Sequence, residues 1–370
     1  MIFINQASDS IFMGLEFLYF LLALIYILSP FRFLLFILYP LAATKFSFSS
    51  LFFYDMRNYE KVYNLADQIS LDPVMEQEGA FVSLLYLFKS VNLPLVVLHG
   101  VEIIAFLLAA KFLFEAFLPT QQAIAMSLLL GLFATMGEMG LYLLRQLLST
   151  TLVFVAMGFL FRERKGWALF FLVISFFFHS SSFVYIPLFL TIFTPTRTGK
   201  ILVILISYLV LFLVAYNSNF GTTILNVFTG QDSLYTSKYD TYSEMQGVEG
   251  WRETALGAPL LSLIVYFVGL NVWKNFHFWK SPFWLYYVFS LVLTAFYLVL
   301  GFNKIFWLSS RFNFMSNIFL LTSCVLLSLE TLSPKEHKPL LMIIFSILLP
   351  VSLRNIMMNY DQNVLFRWPF

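Results

Sequence analysis

Polar side chains interrupt apolar sequence in the stretch 145–187. Arg145 opens one apolar run, and His179 with three following serines breaks the next one. Arginine and histidine are costly in a lipid bilayer, so inside apolar sequence they are functional candidates by default. Arginine offers a planar fork that pairs with phosphate oxygens, and histidine can transfer protons near neutral pH. These residue types predict an anion-binding site with a group for acid–base chemistry.

The composition places this site in a membrane. The chain has 370 residues, of which 60% are hydrophobic and 11% charged, and its mean hydropathy is +0.83. A soluble domain carries about 25% charged residues. The sequence therefore predicts an integral membrane protein with many spans. The net charge of +2 gives no indication of a nucleic-acid partner, and the single cysteine excludes an intrachain disulfide.

Apolar runs divide the chain into about 11–12 transmembrane or re-entrant helices, which predicts an all-α polytopic membrane protein. The runs are 11–28, 31–44, 81–88, 95–118, 123–144, 147–161, 167–193, 201–216, 256–272, 283–301, 312–329 and 340–353. We interpret residues 1–370 as a single transmembrane domain. Two long polar stretches, at 45–94 and 217–255, are predicted to be periplasmic loops, and the short amphipathic run 81–88 lies within the first.

The run 167–193 allows two interpretations, and the orientation of the chain depends on the choice. One continuous helix would place the basic residues before and after it on opposite sides of the membrane. Two half-helices that meet at His179 would keep both basic groups on one side, which the positive-inside rule favours. Under that interpretation the basic short loops are cytoplasmic. Arg145, His179 and Arg311 then lie at or near the outer face.

The predicted outer face carries groups suited to a phosphate ester. Arg145 and Arg311 could hold a diphosphate, while His179 or a carboxylate could act as general base. Purely structural interpretations stay open. Each arginine could anchor its helix at the membrane interface, and the histidine could be a buried residue whose hydrogen bonds are made within the core. Within one run, Lys111 and Glu115 are spaced for an ion pair at i,i+4. The four histidines do not cluster, so we expect no metal site and no cofactor.

Short motifs follow one another in an order that resembles a known family. They are Y-D-M-R-N-Y-E-K-V-Y at 54–63, E-Q-E-G-A-F at 76–81, R-Q at 145–146, F-H-S-S-S at 178–182, S-K-Y-D-T-Y at 237–242 and S-R-F at 310–312. In this order the chain resembles the EpsG-like, Wzy-type polysaccharide polymerases, from about residue 11 to about residue 330.

The resemblance implies an activity, a location and partners. Such enzymes are metal-independent, GT-C-like glycosyltransferases of the bacterial inner membrane. They join oligosaccharide repeat units carried on undecaprenyl diphosphate into O-antigen or exopolysaccharide at the periplasmic face. The expected partners are this lipid-linked oligosaccharide, membrane lipid, a chain-length regulator and a flippase, with no nucleic acid.

The motifs also imply roles for single residues. The expected catalytic residues are His179, Glu78, Arg145 and Arg311. The expected substrate-binding residues are Asp55, Asn58, Tyr59, Lys238 and Tyr239. Two other classes explain the spans and the intramembrane charges: a lipid-linked oligosaccharide flippase or polysaccharide transporter, and an acyltransferase that modifies sugars. Transporters are often built from internal repeats, and the sequence has none that we detect.

Overall fold

The protein is helical throughout the part that the structure describes. This computed structural model describes residues 2–50, 54–65, 79–132, 144–216, 282–302, 306–333 and 335–361, and these residues contain no β-strand. The α-helices are α1 Ile2–Leu28, α2 Leu35–Ser50, α3 Tyr54–Leu65, α4 Gly79–Ser90, α5 Leu95–Phe114, α6 Thr120–Leu130, α7 Leu144–Phe161, α8 Lys165–Phe178, α9 Ile186–Leu190, α10 Arg197–Tyr216, α11 Phe283–Phe302, α12 Phe306–Thr331 and α13 His337–Asp361.

The helices have the length and composition of membrane spans. Among the described residues, four helical segments are long and apolar enough to cross a membrane: Leu95–Phe114, Leu144–Phe161, Arg197–Val214 and Phe283–Leu300. Several shorter apolar helices accompany them. The prediction of an all-α polytopic membrane protein is confirmed.

The described helices form two compact units. The first unit contains α1–α8 and α13, and the second contains α9–α12. The boundary lies between Ser182 and Phe183, just after the predicted break in the run 167–193. The single-domain interpretation and the periplasmic position of the two long loops stay predictions. The first of these loops contains α3 and α4, and the second, 217–255, lies outside the described residues.

In the first unit, α5 and α7 run parallel and pack closely. Near their amino-terminal ends Leu98 and Leu144 share one apolar cluster, and near their carboxyl-terminal ends Phe112 packs on Gly158. Only glycine permits this approach, because a Cβ at position 158 would lie 2.5 Å from the Phe112 ring. The Arg162 guanidinium secures the same end by donating to the Phe112 carbonyl at 2.7 Å and to the Gly158 carbonyl at 2.8 Å.

Helices α7 and α8 form a hairpin around a tight turn. The Arg164 N–H donates to the Phe159 carbonyl at 2.9 Å, and the Glu163 N–H donates to the Leu160 carbonyl at 3.0 Å. These two bonds define a Schellman cap, whose left-handed position is usually glycine. Glu163 occupies that position with φ of 61°. The predicted basic turn therefore lies at one end of the hairpin, and Arg145 and His179 lie at the other.

A buried ion pair holds the carboxyl-terminal end of α6. Lys45 Nζ lies 2.5 Å from Glu16 Oε2 and also donates to the Gly131 carbonyl. The Tyr19 hydroxyl donates to the Leu128 carbonyl at 2.8 Å, in space that a side chain at Gly131 would fill. These side chains donate to carbonyls at the end of the helix, where the regular backbone hydrogen-bonding pattern ends. The predicted run 123–144 is thus interrupted, with α6 ending at Leu130.

In the second unit, hydroxyl groups join α11 to α12. The Tyr286 and Thr322 hydroxyls lie 2.7 Å apart, and the Ser323 hydroxyl donates to the Ser290 hydroxyl at 2.7 Å. All four side chains are buried. Such hydrogen bonds determine the register in which α11 and α12 pack, which contacts between apolar side chains alone would not specify. The predicted spans 201–216, 283–301 and 312–329 correspond to α10, α11 and α12, and the span 256–272 lies outside the described residues.

Candidate active site

Arg145 lies at the second position of α7, where its side chain is half-buried against α3. The guanidinium carbon lies 6.0 Å from the centre of the Tyr59 ring. At this distance the ring face attracts the cation, which restrains a side chain that has many rotamers. Arg145 and Tyr59, which the sequence predicts for the site and which are 86 positions apart, are therefore neighbours.

Helix α3, which carries Tyr59, is fixed by contacts with α4 and with the turn between α4 and α5. Its ring packs edge-on against Phe81, with the ring centres 5.5 Å apart. The Tyr63 hydroxyl donates to the Leu93 carbonyl at 2.5 Å, and Lys89 Nζ donates to the Asn64 carbonyl at 2.5 Å. The polar helix α3 is thus held along α4, from Phe81 near its start to Lys89 near its end, and on the turn before α5 rather than lying in an open loop.

His179 ends α8 and begins a turn stabilised by its own side chain. Its backbone is extended, with φ of −159° and ψ of 127°. The His179 Nδ1 accepts a hydrogen bond from the Ser181 N–H at 3.0 Å, and the His179 carbonyl accepts one from the Ser182 N–H at 3.2 Å. We call residues 179–182 the His179 turn. The prediction that the run 167–193 is broken at this point is confirmed.

The hydrogen bond to Nδ1 determines how the imidazole can act. A ring nitrogen that accepts a hydrogen bond carries no proton, so in the neutral ring the proton is on Nε2. His179 therefore presents an N–H donor at Nε2. A donor of this kind stabilises negative charge, whereas a general base would have to offer a lone pair at that atom.

An apolar cluster joins the elements that carry Arg145, Tyr59 and His179. Its buried core is Phe81, Leu85, Leu95, Leu98 and Leu144, and its partly buried margin is Tyr59, Val62, Tyr63, Leu84, Phe88, Leu148 and Phe178. Leu144 precedes Arg145 in the chain, and Phe178 precedes His179. The cluster consequently brings the start of α7, the end of α8 and helix α3 to one end of the first unit.

The chain matches the model of the EpsG family over residues 32–366. This chain belongs to the EpsG family. EpsG proteins are a Wzy-like polysaccharide polymerase family, which confirms the resemblance seen in the motifs. Separate searches of curated proteins and of solved structures found no match.

The other site residues expected in this EpsG protein lie in several places. Asp55 and Asn58 belong to α3, one turn or less before Tyr59, and the structure describes their backbone. Arg311 belongs to α12 in the second unit. Its pairing with Arg145 stays a prediction. Glu78, Lys238 and Tyr239 lie outside the described residues.

Charged residues within the helices of the EpsG protein differ in how they are compensated. Lys111 and Glu115 form the predicted i,i+4 ion pair, with 2.7 Å between Nζ and Oε1. Glu102 is 1% exposed, and no described residue donates a hydrogen bond to its carboxylate oxygens. No group of three or more histidine, cysteine, aspartate or glutamate side chains within the described residues is arranged to hold a metal ion.

One residue at this site, Ser149, was not predicted from the sequence. Ser149 lies on α7 one turn after Arg145, and its hydroxyl is hydrogen bonded to the Ser182 hydroxyl. Both side chains are fully buried. The four-residue spacing from Arg145 is visible in the sequence, but the bond spans 33 positions and depends on the hairpin.

Proposed function

We propose that this EpsG-family protein is a glycosyltransferase of the bacterial inner membrane. It joins undecaprenyl-diphosphate-linked oligosaccharide units into O-antigen or exopolysaccharide at the periplasmic face and needs no metal. The observation that supports this most directly is the Arg145 guanidinium, held by the Tyr59 ring at the same helix ends as the His179 turn. A cation and an N–H donor at one end of an apolar bundle suit a diphosphate whose lipid chain stays in the bilayer.

The reaction moves a glycan from one lipid carrier to another. A hydroxyl oxygen of the incoming unit attacks the anomeric carbon of the growing chain and forms the glycosidic bond. The bond between that carbon and the diphosphate oxygen breaks, and undecaprenyl diphosphate leaves with the electron pair. Arg145 and the His179 Nε2–H stabilise the charge that develops on the diphosphate, with Arg311 as a second cation. Removing one such donor typically lowers the rate by about 10²–10³-fold.

The proton of the attacking hydroxyl needs an acceptor other than His179, because its Nε2 carries a proton in the neutral ring. We assign this role to Glu78. Asp55, Asn58, Tyr59, Lys238 and Tyr239 contact the sugars or close the site. Donor and acceptor are both confined to one membrane surface, so proximity contributes much of the remaining acceleration.

The first experiment replaces Arg145 and Tyr59 in a native-host strain that lacks the chromosomal gene. Arg145→Ala should abolish the long chains of the polysaccharide ladder, and Arg145→Lys should fail as well because lysine lacks the bidentate fork. Tyr59→Phe keeps the ring face and should be active, whereas Tyr59→Leu should not. Arg164→Ala, at the opposite end of the hairpin, is the matched control. Long chains made by Arg145→Ala at normal protein level would overturn the assignment.

A second experiment separates the two possible roles of His179. Glutamine places an amide N–H near the position of Nε2 but cannot accept a proton, so His179→Gln should keep part of the activity that His179→Ala loses. Equal loss in both variants, with a pH profile showing one basic group fewer, would return the role of base to His179.

Reporter fusions and a purified-protein assay test the remaining parts of the proposal. Fusions within 55–75 and 235–250 should report a periplasmic location, and fusions within 195–200 a cytoplasmic one. With lipid-linked repeat units from the polymerase-deficient host, a polymerase extends the glycan. Translocation without extension would indicate a flippase, and acyl transfer would indicate a sugar-modifying acyltransferase.

A further inference from the structure

The hydroxyl pair between Ser149 and Ser182 connects α7 to the His179 turn, which follows α8, at the candidate site. Ser149 and Ser182 are each 0% exposed. Ser149 is four residues after Arg145, so the two side chains lie one turn apart on the same side of α7. Ser182 belongs to the His179 turn, where its N–H bonds to the His179 carbonyl. The pair is therefore a direct link between the helix that carries Arg145 and the turn that carries His179.

Other buried hydroxyls of the hairpin make different bonds. The Ser175 hydroxyl on α8 donates to the Leu172 carbonyl at 2.6 Å, and the Thr151 hydroxyl on α7 donates to the Leu147 carbonyl at 2.8 Å. Such bonds to a preceding carbonyl of the same helix are the usual way in which serine and threonine are satisfied in apolar helices. The Ser149 hydroxyl instead reaches a neighbouring segment, which a purely local role does not require.

The internal hydrogen bonds of the His179 turn do not connect it to α7, and the chain continues from the turn as a 3-10 helix to Tyr185. Two hydrogen bonds, from the Ser181 and Ser182 N–H groups to His179, shape the turn internally. They determine the imidazole tautomer but not the position of the turn relative to α7. Because α8 ends at Phe178, the regular helix no longer sets that position beyond this residue.

We propose that Ser149 is a positioning residue of the polymerase, which acts through Ser182 to hold the His179 turn at a fixed distance from Arg145. This inference rests on the proposed function, in which Arg145 and His179 act on one diphosphate. Ser149 does not touch the substrate. Its contribution is to keep the two donors in register, since a displacement of about 1 Å can lower a rate by about 10²-fold.

An activity-independent measurement tests the tether itself. In hydrogen–deuterium exchange with mass spectrometry, the peptide containing the Ser181 and Ser182 amides should exchange about 3- to 20-fold faster in Ser149→Ala than in wild type, the range expected for the loss of one hydrogen bond between membrane helices. Ser182→Ala should give a similar increase. Ser175→Ala, which removes an equally buried hydroxyl from α8, is the matched control and should leave this peptide unchanged.

A kinetic measurement tests the consequence for the reaction. With lipid-linked repeat units from the polymerase-deficient host, Ser149→Ala should lower kcat by about 10- to 100-fold. KM should change less, because Arg145 still binds the diphosphate. The double variant Ser149→Ala with Ser182→Ala should be no slower than either single variant, since both remove one interaction. Ser175→Ala should match wild type.

The outcomes distinguish this inference from the proposed function. Wild-type protein that polymerises, together with an unchanged kcat in Ser149→Ala or multiplicative losses in the double variant, would refute the positioning role alone. Unchanged exchange of the Ser181–Ser182 peptide would refute the tether. Wild-type protein that extends no glycan would refute the proposed function, and the positioning role with it, whatever the exchange result.

Discussion

The buried pair between Lys45 and Glu16 should be one of the most sensitive points of the fold. The two side chains are 5% and 1% exposed, so neither charge can be solvated when its partner is removed. Removing one member of a buried ion pair typically destabilises a protein by about 3–5 kcal/mol, because the other charge stays buried and uncompensated. Lys45→Met also removes the donor to the Gly131 carbonyl at the end of α6. We therefore expect a loss of about 3–5 kcal/mol in the free energy of unfolding.

Two further variants separate charge burial from a general sensitivity of the bundle. The double variant Glu16→Leu with Lys45→Met removes both charges, so most of the loss should be recovered, apart from about 1 kcal/mol for the Gly131 hydrogen bond. Lys111→Met breaks a pair that is 27% and 21% exposed. This partly exposed pair should contribute less than about 1 kcal/mol.

The assay is unfolding of the detergent-solubilised protein by a denaturing detergent, followed by the fluorescence of its seven tryptophans. Equal losses in Lys45→Met and Lys111→Met would show that burial does not govern the contribution of the pair. A double variant as unstable as Lys45→Met would show that the lysine acts through its packing and its helix-end hydrogen bond rather than through Glu16.

Three smaller perturbations follow from local geometry. Glu163→Gly should raise stability by about 0.5–1 kcal/mol in the same assay, because glycine adopts the left-handed position of the α7–α8 turn without steric cost. A double-mutant cycle of Ser290→Ala and Ser323→Ala should give a coupling energy of about 0.6 kcal/mol, and no coupling would refute the bond between α11 and α12. Hydrogen bonds from Ser333 lower the pKa of Glu336. The contribution of these hydrogen bonds to stability should be complete above the ordinary glutamate pKa of 4.5 and should decline as the pH falls through the lowered pKa of Glu336. This pH-dependent contribution should be absent in Glu336→Gln.

The sequence predicted those features of the fold that depend on local pattern. Apolar run length located most of the described helices, since a span must satisfy its backbone groups internally. The break at His179 was also predictable, because a histidine followed by three serines offers the backbone alternatives to helical bonding. The i,i+4 ion pair of Lys111 and Glu115 follows directly from helix periodicity.

Features that depend on contacts between distant residues were not predictable in the same way. The run 123–144 has the composition of a continuous span, yet α6 ends at Leu130, where Lys45 and Tyr19 bond to its last carbonyls from 80 or more positions away. Arg162 was predicted from charge alone as part of a cytoplasmic basic turn. Its bond to the Phe112 carbonyl, which joins α7 to α5, depends on the packing at Gly158.

The position of the candidate site at helix ends follows from the same physics that forms the bundle. An apolar helix of 18 residues, such as α7, is roughly 27 Å long and spans the hydrocarbon layer, so polar groups for catalysis are least costly at its ends. A hairpin brings the start of one helix and the end of the next to the same surface. In this protein those two positions are occupied by Arg145 and His179. The basic turn lies at the opposite end of the hairpin, so the outward orientation that we propose for Arg145 and His179 is the one that the positive-inside rule favours. If α8 continued through His179, the imidazole would lie within a helix. It would then not belong to a turn that is hydrogen bonded to α7 through Ser182 and Ser149.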